Sequence, residues 1–158
     1  NFIKIKPYKL LGKDVKTTII KDFINEGNII NANKFLGYKY CVSGNVIDGE
    51  KKGRTLGYPT ANLDLSKIKQ LIPKNGVYSV TLKVDLNNYK AICNIGTRPT
   101  VSNGSNKSFE IHVLDYEVNL YGKSITVEFN SFIRKEKKFN NVRDLSKQIH
   151  NDILSIRK

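Results

Sequence analysis

The sequence predicts a mainly β domain, a barrel or a sandwich, with helical segments at both ends. Short stretches of alternating apolar residues are separated by Gly, Asn, Pro or Asp. The hydrophobic period changes from helical to strand-like near Tyr38 and returns to helical near the C-terminus. With 158 residues, the chain is long enough for one domain with a hydrophobic core and too short for two full-sized domains.

Two short helices are predicted between residues 16 and 37. Thr17 or Thr18 is expected to cap the first helix, and Gly27 to end it. Gly37 is expected to end the second helix in the left-handed conformation that glycine tolerates. The residues expected to be buried are Ile20, Phe23 and Ile24 in the first helix and Ile29, Ala32, Phe35 and Leu36 in the second.

Strands are predicted where the period is two. The clearest lies within residues 76–84, where Tyr78, Val80, Leu82 and Val84 share one face. The predicted strands are Cys41 to Ile47, Val77 to Val84, Tyr89 to Ile95, Phe109 to Leu114 and Ile125 to Phe132. A C-terminal helix is expected to pack across them on a stripe formed by Val142, Leu145, Ile149, Ile153 and Ile156.

The charge of the chain favours anionic partners without choosing among them. Lys and Arg number 27 against 14 Asp and Glu, which gives a net charge of +13. The lysines are scattered along the sequence, whereas a nucleic-acid footprint should cluster on one face. Nucleic acid and a membrane are therefore not expected as partners.

Cysteine usage favours a reduced, cytoplasmic protein. Cys41 and Cys93 show no CxxC spacing, so neither a metal site nor a disulfide framework is indicated. The N-terminus carries neither the apolar region of a signal peptide nor a transmembrane run. It also lacks Met, so the chain is expected to begin inside a longer natural sequence.

The segment from Gly49 to Asn62 has the composition of a phosphate-binding loop. Gly49, Gly53 and Gly57 can let the backbone approach phosphate closely, and Arg54 can add positive charge. The glycine spacing differs from that of a P-loop. Without its continuation, a solvated hairpin turn is an equally good interpretation.

Thr60 and Asn62 suggest a magnesium site. On an extended segment, residues two apart project to one side and offer a hydroxyl and an amide oxygen. Mg²⁺ prefers such hard oxygens together with substrate phosphates. The alternative is a polar turn that enters a strand.

Six motifs, in order, resemble the riboflavin kinase part of the bacterial bifunctional riboflavin kinase/FAD synthetase family. The resemblance runs from about Tyr38 to the C-terminus. The motifs are Gly-Arg-Thr-Leu-Gly-Tyr-Pro-Thr-Ala-Asn-Leu (53–63), Gly-Val-Tyr (76–78), Asn-Ile-Gly-Thr-Arg-Pro-Thr (94–100), Phe-Glu-Ile-His-Val-Leu-Asp (109–115), Leu-Tyr-Gly (120–122) and Phe-Ile-Arg-Lys-Glu-Lys-Lys-Phe (132–139).

The resemblance implies a six-stranded antiparallel Greek-key barrel with a C-terminal helix. It also implies ATP-dependent phosphorylation of riboflavin to FMN, with Glu110 as the catalytic base, and Thr60 and Asn62 as ligands of Mg²⁺. The remaining site residues are implied by family position. Those on the nucleotide side are Gly49, Gly53, Arg54 and Tyr121, and those on the flavin side are Arg134, Glu136 and Lys137.

For residues 134–138, a solvated charge run is the alternative. His112 is expected to form a hydrogen bond rather than to take part in catalysis.

Residues 1–37 resemble the helical end of the adenylyltransferase half of the bifunctional enzymes, which is otherwise absent here. Lys16, Thr17 and Thr18 stand where that family has Ser-Ser-Thr, and Lys21 replaces its Arg. No His-x-Gly-His segment is present, so synthesis of FAD is not expected from this chain.

Two non-enzymatic alternatives remain at this point. One is a flavin- or nucleotide-binding remnant of a kinase that has lost its chemistry. The other is a basic barrel that binds single-stranded nucleic acid through aromatic stacking.

Overall fold

The computed structural model of the chain describes residues 3, 6–49, 53, 57–98, 106–116 and 118–157. A two-stranded hairpin and two helices precede the main sheet, and a long helix follows it. The elements are β1 (Lys9–Leu10), β2 (Lys13–Asp14), α1 (Thr17–Glu26), α2 (Ile29–Leu36), β3 (Cys41–Ile47), β4 (Ala61–Leu63), a 3₁₀ turn (Leu65–Lys67), β5 (Gly76–Val84), β6 (Asn87–Arg98), β7 (Asn106–Val113), β8 (Ser124–Arg134) and α3 (Val142–Arg157).

In the described part of the chain, six strands close into an antiparallel barrel in the order β3-β4-β7-β6-β5-β8. The strands β5, β6 and β7 follow one another as neighbours, and β8 returns to pair with β5. This is a Greek-key arrangement, because a fourth strand lies beside the first of three consecutive strands. The predicted six-stranded Greek-key barrel is confirmed.

The barrel interior is filled by the apolar face that the alternation predicted. Tyr78, Val80, Leu82 and Val84 of β5 are all buried. They pack with inward residues of the other strands, including Val42, Leu63, Ile95, Phe109, Ile111, Val127 and Phe129. Burying one such side chain stabilises the fold by about 1.5–3 kcal/mol, so this core outweighs any single surface contact.

The helices α1 and α2 end as predicted but α1 begins differently. Gly27 and Gly37 follow the two helices with φ of 76° and 78°. Lys16 occupies the N-cap of α1, and no side chain caps that end. The expected cap by Thr17 or Thr18 is therefore wrong, because both residues already lie within the helix.

The helix α2 is joined to the barrel at β8 and β3. Asn33 donates to the Phe129 carbonyl at 2.9 Å and accepts from the Tyr40 amide at 2.7 Å. Ile29 belongs to the barrel core. The N-terminal helices are thus part of the packed domain, and residue 38 marks a change of element rather than a gap in packing.

The C-terminal helix α3 packs across the outer face of the barrel, as predicted. Ile153 is buried against Ile92 of β6 and Leu114, while Ile149 and Ile156 are partly buried in the same cluster. Val142, at the first position of the helix, is exposed. None of the helices in the described residues combines the length and apolar character needed to cross a lipid bilayer.

Candidate active site

A cavity of about 250 Å³ lies between the outer face of the barrel, helix α3 and the segment that joins β8 to α3. It has an apolar part and a polar part. The apolar lining is Tyr58, Val77, Ile92, Phe139, Leu145 and Ile149; the polar lining is Thr60, Asn94, Glu110, His112, Arg134, Glu136, Lys137 and Asp152, with Gly53 at the edge.

A row of directly paired residues crosses this face of the barrel. Asn62 of β4 pairs with Glu110 of β7, which pairs with Asn94 of β6. Asn94 pairs with Val77 of β5, and Val77 with Arg134 of β8. Directly opposed residues in antiparallel strands share a face, so these five residues all lie on the outer surface of the barrel. At ~4.8 Å per strand, Asn62 is roughly 5 Å and Arg134 roughly 14 Å from Glu110 along the sheet.

Glu110 lies on this row because β7 alternates. Its neighbours Phe109 and Ile111 are buried in the barrel core, so Glu110 points outward into the cavity, where it is half-buried. A carboxylate here can accept a proton from a group bound in the cavity. The same alternation places His112 on the outer face.

The segment leading into β4 is held by His112. The His112 Nδ1 lies 2.8 Å from the Pro59 carbonyl, and the ring of Tyr58 packs edge-on against the imidazole with centroids 5.4 Å apart. Because a carbonyl only accepts, Nδ1 must carry the proton. The outcome agrees with the expectation that His112 forms a hydrogen bond.

Two glycines permit close packing beside Thr60 and Asn62. A side chain at Gly53 would collide with the Tyr58 carbonyl, and one at Gly49 with the Asn62 amide. Thr60 lies within van der Waals distance of the Gly53 position, and Asn62 is buried. The backbone at Gly49 and at Gly53 therefore lies close to Asn62 and to Thr60, and glycine at such positions lets a backbone approach a phosphate closely.

The residues present fit a magnesium ion held together with nucleotide phosphates. Thr60 and Asn62 offer neutral hard oxygens, and the carboxylate of Glu110 lies one strand from Asn62. Among the described residues, no group of three His, Cys, Asp or Glu side chains is placed to hold a metal. Mg²⁺ is commonly bound through one or two protein ligands plus phosphates and water, so two oxygen donors suffice.

Arg134 lines the cavity but its guanidinium is turned towards helix α3. Its Nε and Nη2 donate to the two carboxylate oxygens of Asp152 at 2.8 to 3.0 Å. Gln148 donates to the same carboxylate at 2.9 Å. Arg134, expected on the flavin side, thus has its charge paired with a buried carboxylate.

Glu136 and Lys137 also line the cavity. The Glu136 carboxylate lies against the backbone at Gly96, where a side chain would collide with it. The Lys137 ammonium lies 5.6 Å from the centre of the Phe139 ring, a cation–π distance. Residues 135–138 are also exposed, as a solvated charge run would be, so these contacts do not decide between the two interpretations of the segment.

Three expected residues do not line the cavity: Gly49, Asn62 and Tyr121. Arg54 is outside the described residues, as are residues 50–52, 55 and 56. Gly49 packs against Asn62 without lining the cavity. Tyr121 is 39% exposed in the turn before β8, where Gly122 bonds to the Val46 carbonyl near the end of β3.

Sequence reasoning gave no role to Asn94, Asp152 or the apolar half of the cavity. Asp152 carried a signal, because it lies seven residues after Leu145 and thus on the apolar stripe of α3. A charged residue on such a stripe indicates a buried partner. Asn94 stood within a recognised motif, but only the strand register shows that it is paired with Glu110.

Beneath the cavity floor, Cys93 is fully buried in the barrel. Burial raises the pKa of its thiol well above the ordinary range, and the negative charge of Glu110 adds to the rise. Cys93 therefore stays a neutral core residue. Cys41 and Cys93 are both free thiols.

Comparison with known proteins gives a consistent result over most of the chain. Residues 36–158 match the family model described as Flavokinase, riboflavin kinase. The bifunctional riboflavin kinase/FMN adenylyltransferase of Bacillus subtilis (strain 168) is 37% identical over 142 residues, which are 89% of this chain and 45% of that protein. That of Buchnera aphidicola is 41% identical over 160 residues, 100% of this chain and 50% of that protein. The chain thus spans about half the length of the curated relatives it matches.

Two solved structures are also similar. A crystal structure from Streptococcus pneumoniae, described as a macrolide-efflux protein, matches with a TM-score of 0.90 and 31% identity, over 98% of this chain and 50% of that one. Riboflavin kinase from Trypanosoma brucei matches with a TM-score of 0.50 and 22% identity, over 74% of this chain and 76% of that one. At that identity the second likeness shows the fold alone.

Proposed function

This chain belongs to the riboflavin kinase family, and from that premise we propose that it transfers the terminal phosphoryl group of ATP to the ribityl 5′-hydroxyl of riboflavin, giving FMN and ADP. The family resemblance inferred from the ordered motifs is confirmed. The observation that carries the proposal is the row of paired residues across the barrel. It sets oxygen donors on one side of Glu110 and an apolar cavity on the other.

Glu110 is the proposed proton acceptor. The 5′-oxygen forms a bond to the γ-phosphorus while the bond from that phosphorus to the bridging oxygen of ADP breaks, and Glu110 takes the hydroxyl proton. Its half-buried position at the cavity wall supports this role. Positioning the hydroxyl beside Glu110 is the main catalytic task, since phosphoryl transfer depends chiefly on alignment and charge neutralisation.

Thr60 and Asn62 are the proposed ligands of Mg²⁺, which when bound neutralises the phosphate charge. The neighbouring backbone at Gly49 and Gly53 can present N–H groups to the phosphates, and Arg54 can contribute charge. The glycine contacts with Asn62 and Tyr58 support this side of the proposal. Tyr121 is proposed to contact the nucleotide from the turn near the end of β3.

The acceptor side is proposed to be the apolar part of the cavity. Val77, Ile92, Phe139, Leu145 and Ile149 offer flat and aliphatic surfaces of the kind that bury a fused aromatic ring. Glu136 and Lys137 supply polar groups at the rim.

The Glu110→Gln variant tests the role of the base. We expect the turnover number to fall by about 10²–10⁴-fold, the usual contribution of general base catalysis, with riboflavin affinity unchanged. FMN formation is followed by chromatography and riboflavin affinity by quenching of flavin fluorescence. Turnover within a few-fold of the unaltered chain would exclude Glu110 as the base.

The division of the chain at residue 38 is also part of the proposal. We propose that residues 1–37 correspond to the end of an adenylyltransferase part that the longer relatives contain, so the full protein would be bifunctional. This chain matches only about half the length of those relatives, which supports this view. FAD synthesis is not proposed for residues 1–158, and a cytoplasmic location, suggested by the two free thiols, stays a prediction.

The alternative functions are less well supported. Family membership does not favour a non-catalytic remnant. The aromatic residues Tyr78, Phe109 and Phe129 fill the barrel interior, where they cannot stack on bases. The efflux description belongs to a protein of which this chain covers half, and nothing in the matched family model supports its transfer.

A further inference from the structure

One ion pair joins the end of strand β8 to the middle of helix α3 at the cavity wall. Arg134 Nε lies 2.9 and 3.0 Å from the two carboxylate oxygens of Asp152, and Arg134 Nη2 lies 2.8 Å from Oδ2. The Asp152 side chain is 3% exposed and that of Arg134 is 22% exposed. Gln148 donates a further hydrogen bond to Asp152 at 2.9 Å. We call this arrangement the clasp.

The clasp leaves little of the guanidinium for a ligand. Nε and Nη2 are engaged with Asp152, and Nη1 donates to the Lys135 carbonyl at 3.1 Å. The guanidinium carbon also lies 5.9 Å from the centre of the Phe139 ring. Arg134 is therefore held within the protein by three different groups.

Stability alone is a poor reason for such a pair. Removing two charges from water costs about as much as their attraction returns, and well-packed apolar residues often serve the fold equally well. What the pair provides is a fixed relative orientation of the two side chains, because a bidentate guanidinium–carboxylate contact holds both groups in one plane. The clasp is thus suited to hold a surface in place.

The surface that the clasp holds is the wall of the cavity on the side proposed to bind riboflavin, the phosphoryl acceptor. Residues 135–141 connect Arg134 to the start of α3, so the clasp anchors the first end of this segment to the helix into which its other end runs. The segment carries Glu136, Lys137 and Phe139 into the cavity lining. Arg134 lies three strands from Glu110 around the barrel, although both residues line the same cavity.

We infer that Asp152 is a positioning residue for the acceptor. By holding Arg134 against α3, it keeps the 135–139 wall in the arrangement that receives the flavin ring. The inference rests on the proposed function and adds to it a residue that does not touch the reacting atoms. When the clasp is broken, the wall must be ordered on binding, and apparent affinity falls in proportion to the fraction of molecules already ordered.

The test is the Asp152→Asn variant, which keeps the shape of the side chain and removes its charge. We expect both the KM and the Kd for riboflavin to rise about tenfold, if the wall is ordered in about a tenth of the molecules. The KM for MgATP should not change, and kcat should stay within about threefold. Riboflavin Kd is measured by fluorescence quenching without ATP, so it does not depend on turnover.

A matched control is available on the same helix. Arg157 of α3 pairs with Asp115 after β7, an exposed contact outside the cavity. Asp115 has a φ of 62°, which Asn tolerates, so Asp115→Asn breaks this pair without backbone strain. This variant should leave the riboflavin KM and Kd unaltered.

The double variant Arg134→Met/Asp152→Met separates positioning from simple stability. An apolar pair should restore the melting temperature towards that of the unaltered chain, while the riboflavin KM should stay raised. If this variant regains the original KM together with the original melting temperature, the clasp is only structural and the inference is wrong.

The inference is also overturned if Asp152→Asn turns over with an unchanged riboflavin KM, or if kcat and both KM values worsen together with stability. An unaltered chain that binds riboflavin but makes no FMN would contradict the proposed function alone, because the Kd comparison would still hold. An unaltered chain that does not bind riboflavin would contradict both.

Discussion

At the scale of single residues, His112 connects the strand of Glu110 to the segment that carries Thr60. Its protonated Nδ1 donates to the Pro59 carbonyl at 2.8 Å, one residue before Thr60. The position of the proposed metal ligand therefore depends on a hydrogen bond from the neighbouring strand. Asp152 has the corresponding role at the other end of the cavity, where it holds Arg134.

Substitution of His112 by Asn and by Gln separates these contacts. The amide nitrogen of Asn lies close to the position of Nδ1, whereas that of Gln lies closer to Nε2, so only Asn should preserve the bond to Pro59. We expect His112→Gln to raise the KM for MgATP about tenfold, the cost of one lost hydrogen bond of about 1.4 kcal/mol, and His112→Asn to change it much less. Equal effects of the two variants on MgATP, or an effect on riboflavin alone, would exclude this positioning role.

At the scale of elements, the two N-terminal helices end in the same way but in different surroundings. Gly27 and Gly37 have φ of 76° and 78°. A Cβ at Gly27 would lie 3.2 Å from the Tyr78 hydroxyl and 3.3 Å from the Phe132 ring. A Cβ at Gly37 would have no other side chain or distant backbone atom within 4 Å. Substituting either glycine should therefore cost the same backbone strain, but only a substitution at Gly27 should also disturb packing.

Replacing each glycine with Ala should measure that difference. Ala in the left-handed region costs about 1–2 kcal/mol, so Gly37→Ala should lower the melting temperature by roughly 2–8 °C. Gly27→Ala should lower it further, because its methyl group also presses on Tyr78 and Phe132. Thermal unfolding by circular dichroism gives both values. Equal losses would show that α1 does not pack tightly on the barrel at this point.

The elements that sequence reasoning found are those with a long periodic pattern. Strand β3 was predicted with its observed bounds, and β5, β6, β7 and β8 were found with ends that differ by a few residues. Strand β4 was not predicted, because the apolar-polar-apolar pattern of Ala61, Asn62 and Leu63 extends over only three residues. Three residues are too few for a period-two pattern to stand out.

Part of the site was predictable because some of its residues stand in recognisable local sequence patterns. Glu110 and Thr60 stand in local motifs, and both line the cavity. The clasp joins residues 18 positions apart on a strand and a helix, so the local pattern of α3 indicates a buried partner for Asp152 but does not identify Arg134 as that partner. The pairing of Asn94 with Glu110 depends on register between strands, which follows from closure of the barrel rather than from either sequence segment.

At the scale of the whole molecule, the partly buried Tyr40 and the buried Tyr78 make the stability of the fold depend on pH. Burial raises the pKa of Tyr40 from 10.0 to about 12, and the nearby Cys41 adds to the rise. Its hydroxyl donates to the Leu71 carbonyl at 2.6 Å and so joins the start of β3 to the crossover before β5. Burial raises the pKa of Tyr78 as well. Since the folded state holds these protons more tightly than the unfolded state, the stabilisation is complete below pH 10.0 and declines as the pH rises.

The Tyr40→Phe variant should show this dependence. Below pH 10.0 the variant should be less stable than the unaltered chain, by about 1 kcal/mol for the lost hydrogen bond. As the pH approaches 12, the difference in stability should shrink. The Tyr40 hydroxyl ionises at a lower pH in the unfolded chain than in the folded chain, which stabilises the unfolded state of the unaltered chain. Urea unfolding at a series of pH values measures the gap. A gap that stays constant over this range would show that Tyr40 ionises as freely in the folded chain as in the unfolded one.

The central claim is that this barrel phosphorylates riboflavin, and the most direct test is FMN formation by the unaltered chain. Riboflavin, ATP and Mg²⁺ are incubated with the protein, and the products are separated by chromatography, with parallel reactions that omit ATP or Mg²⁺. We predict FMN and ADP in equal amounts, and none when either component is omitted. Tight binding of riboflavin with no FMN formed under any of these conditions would contradict the account and leave the chain a flavin-binding protein.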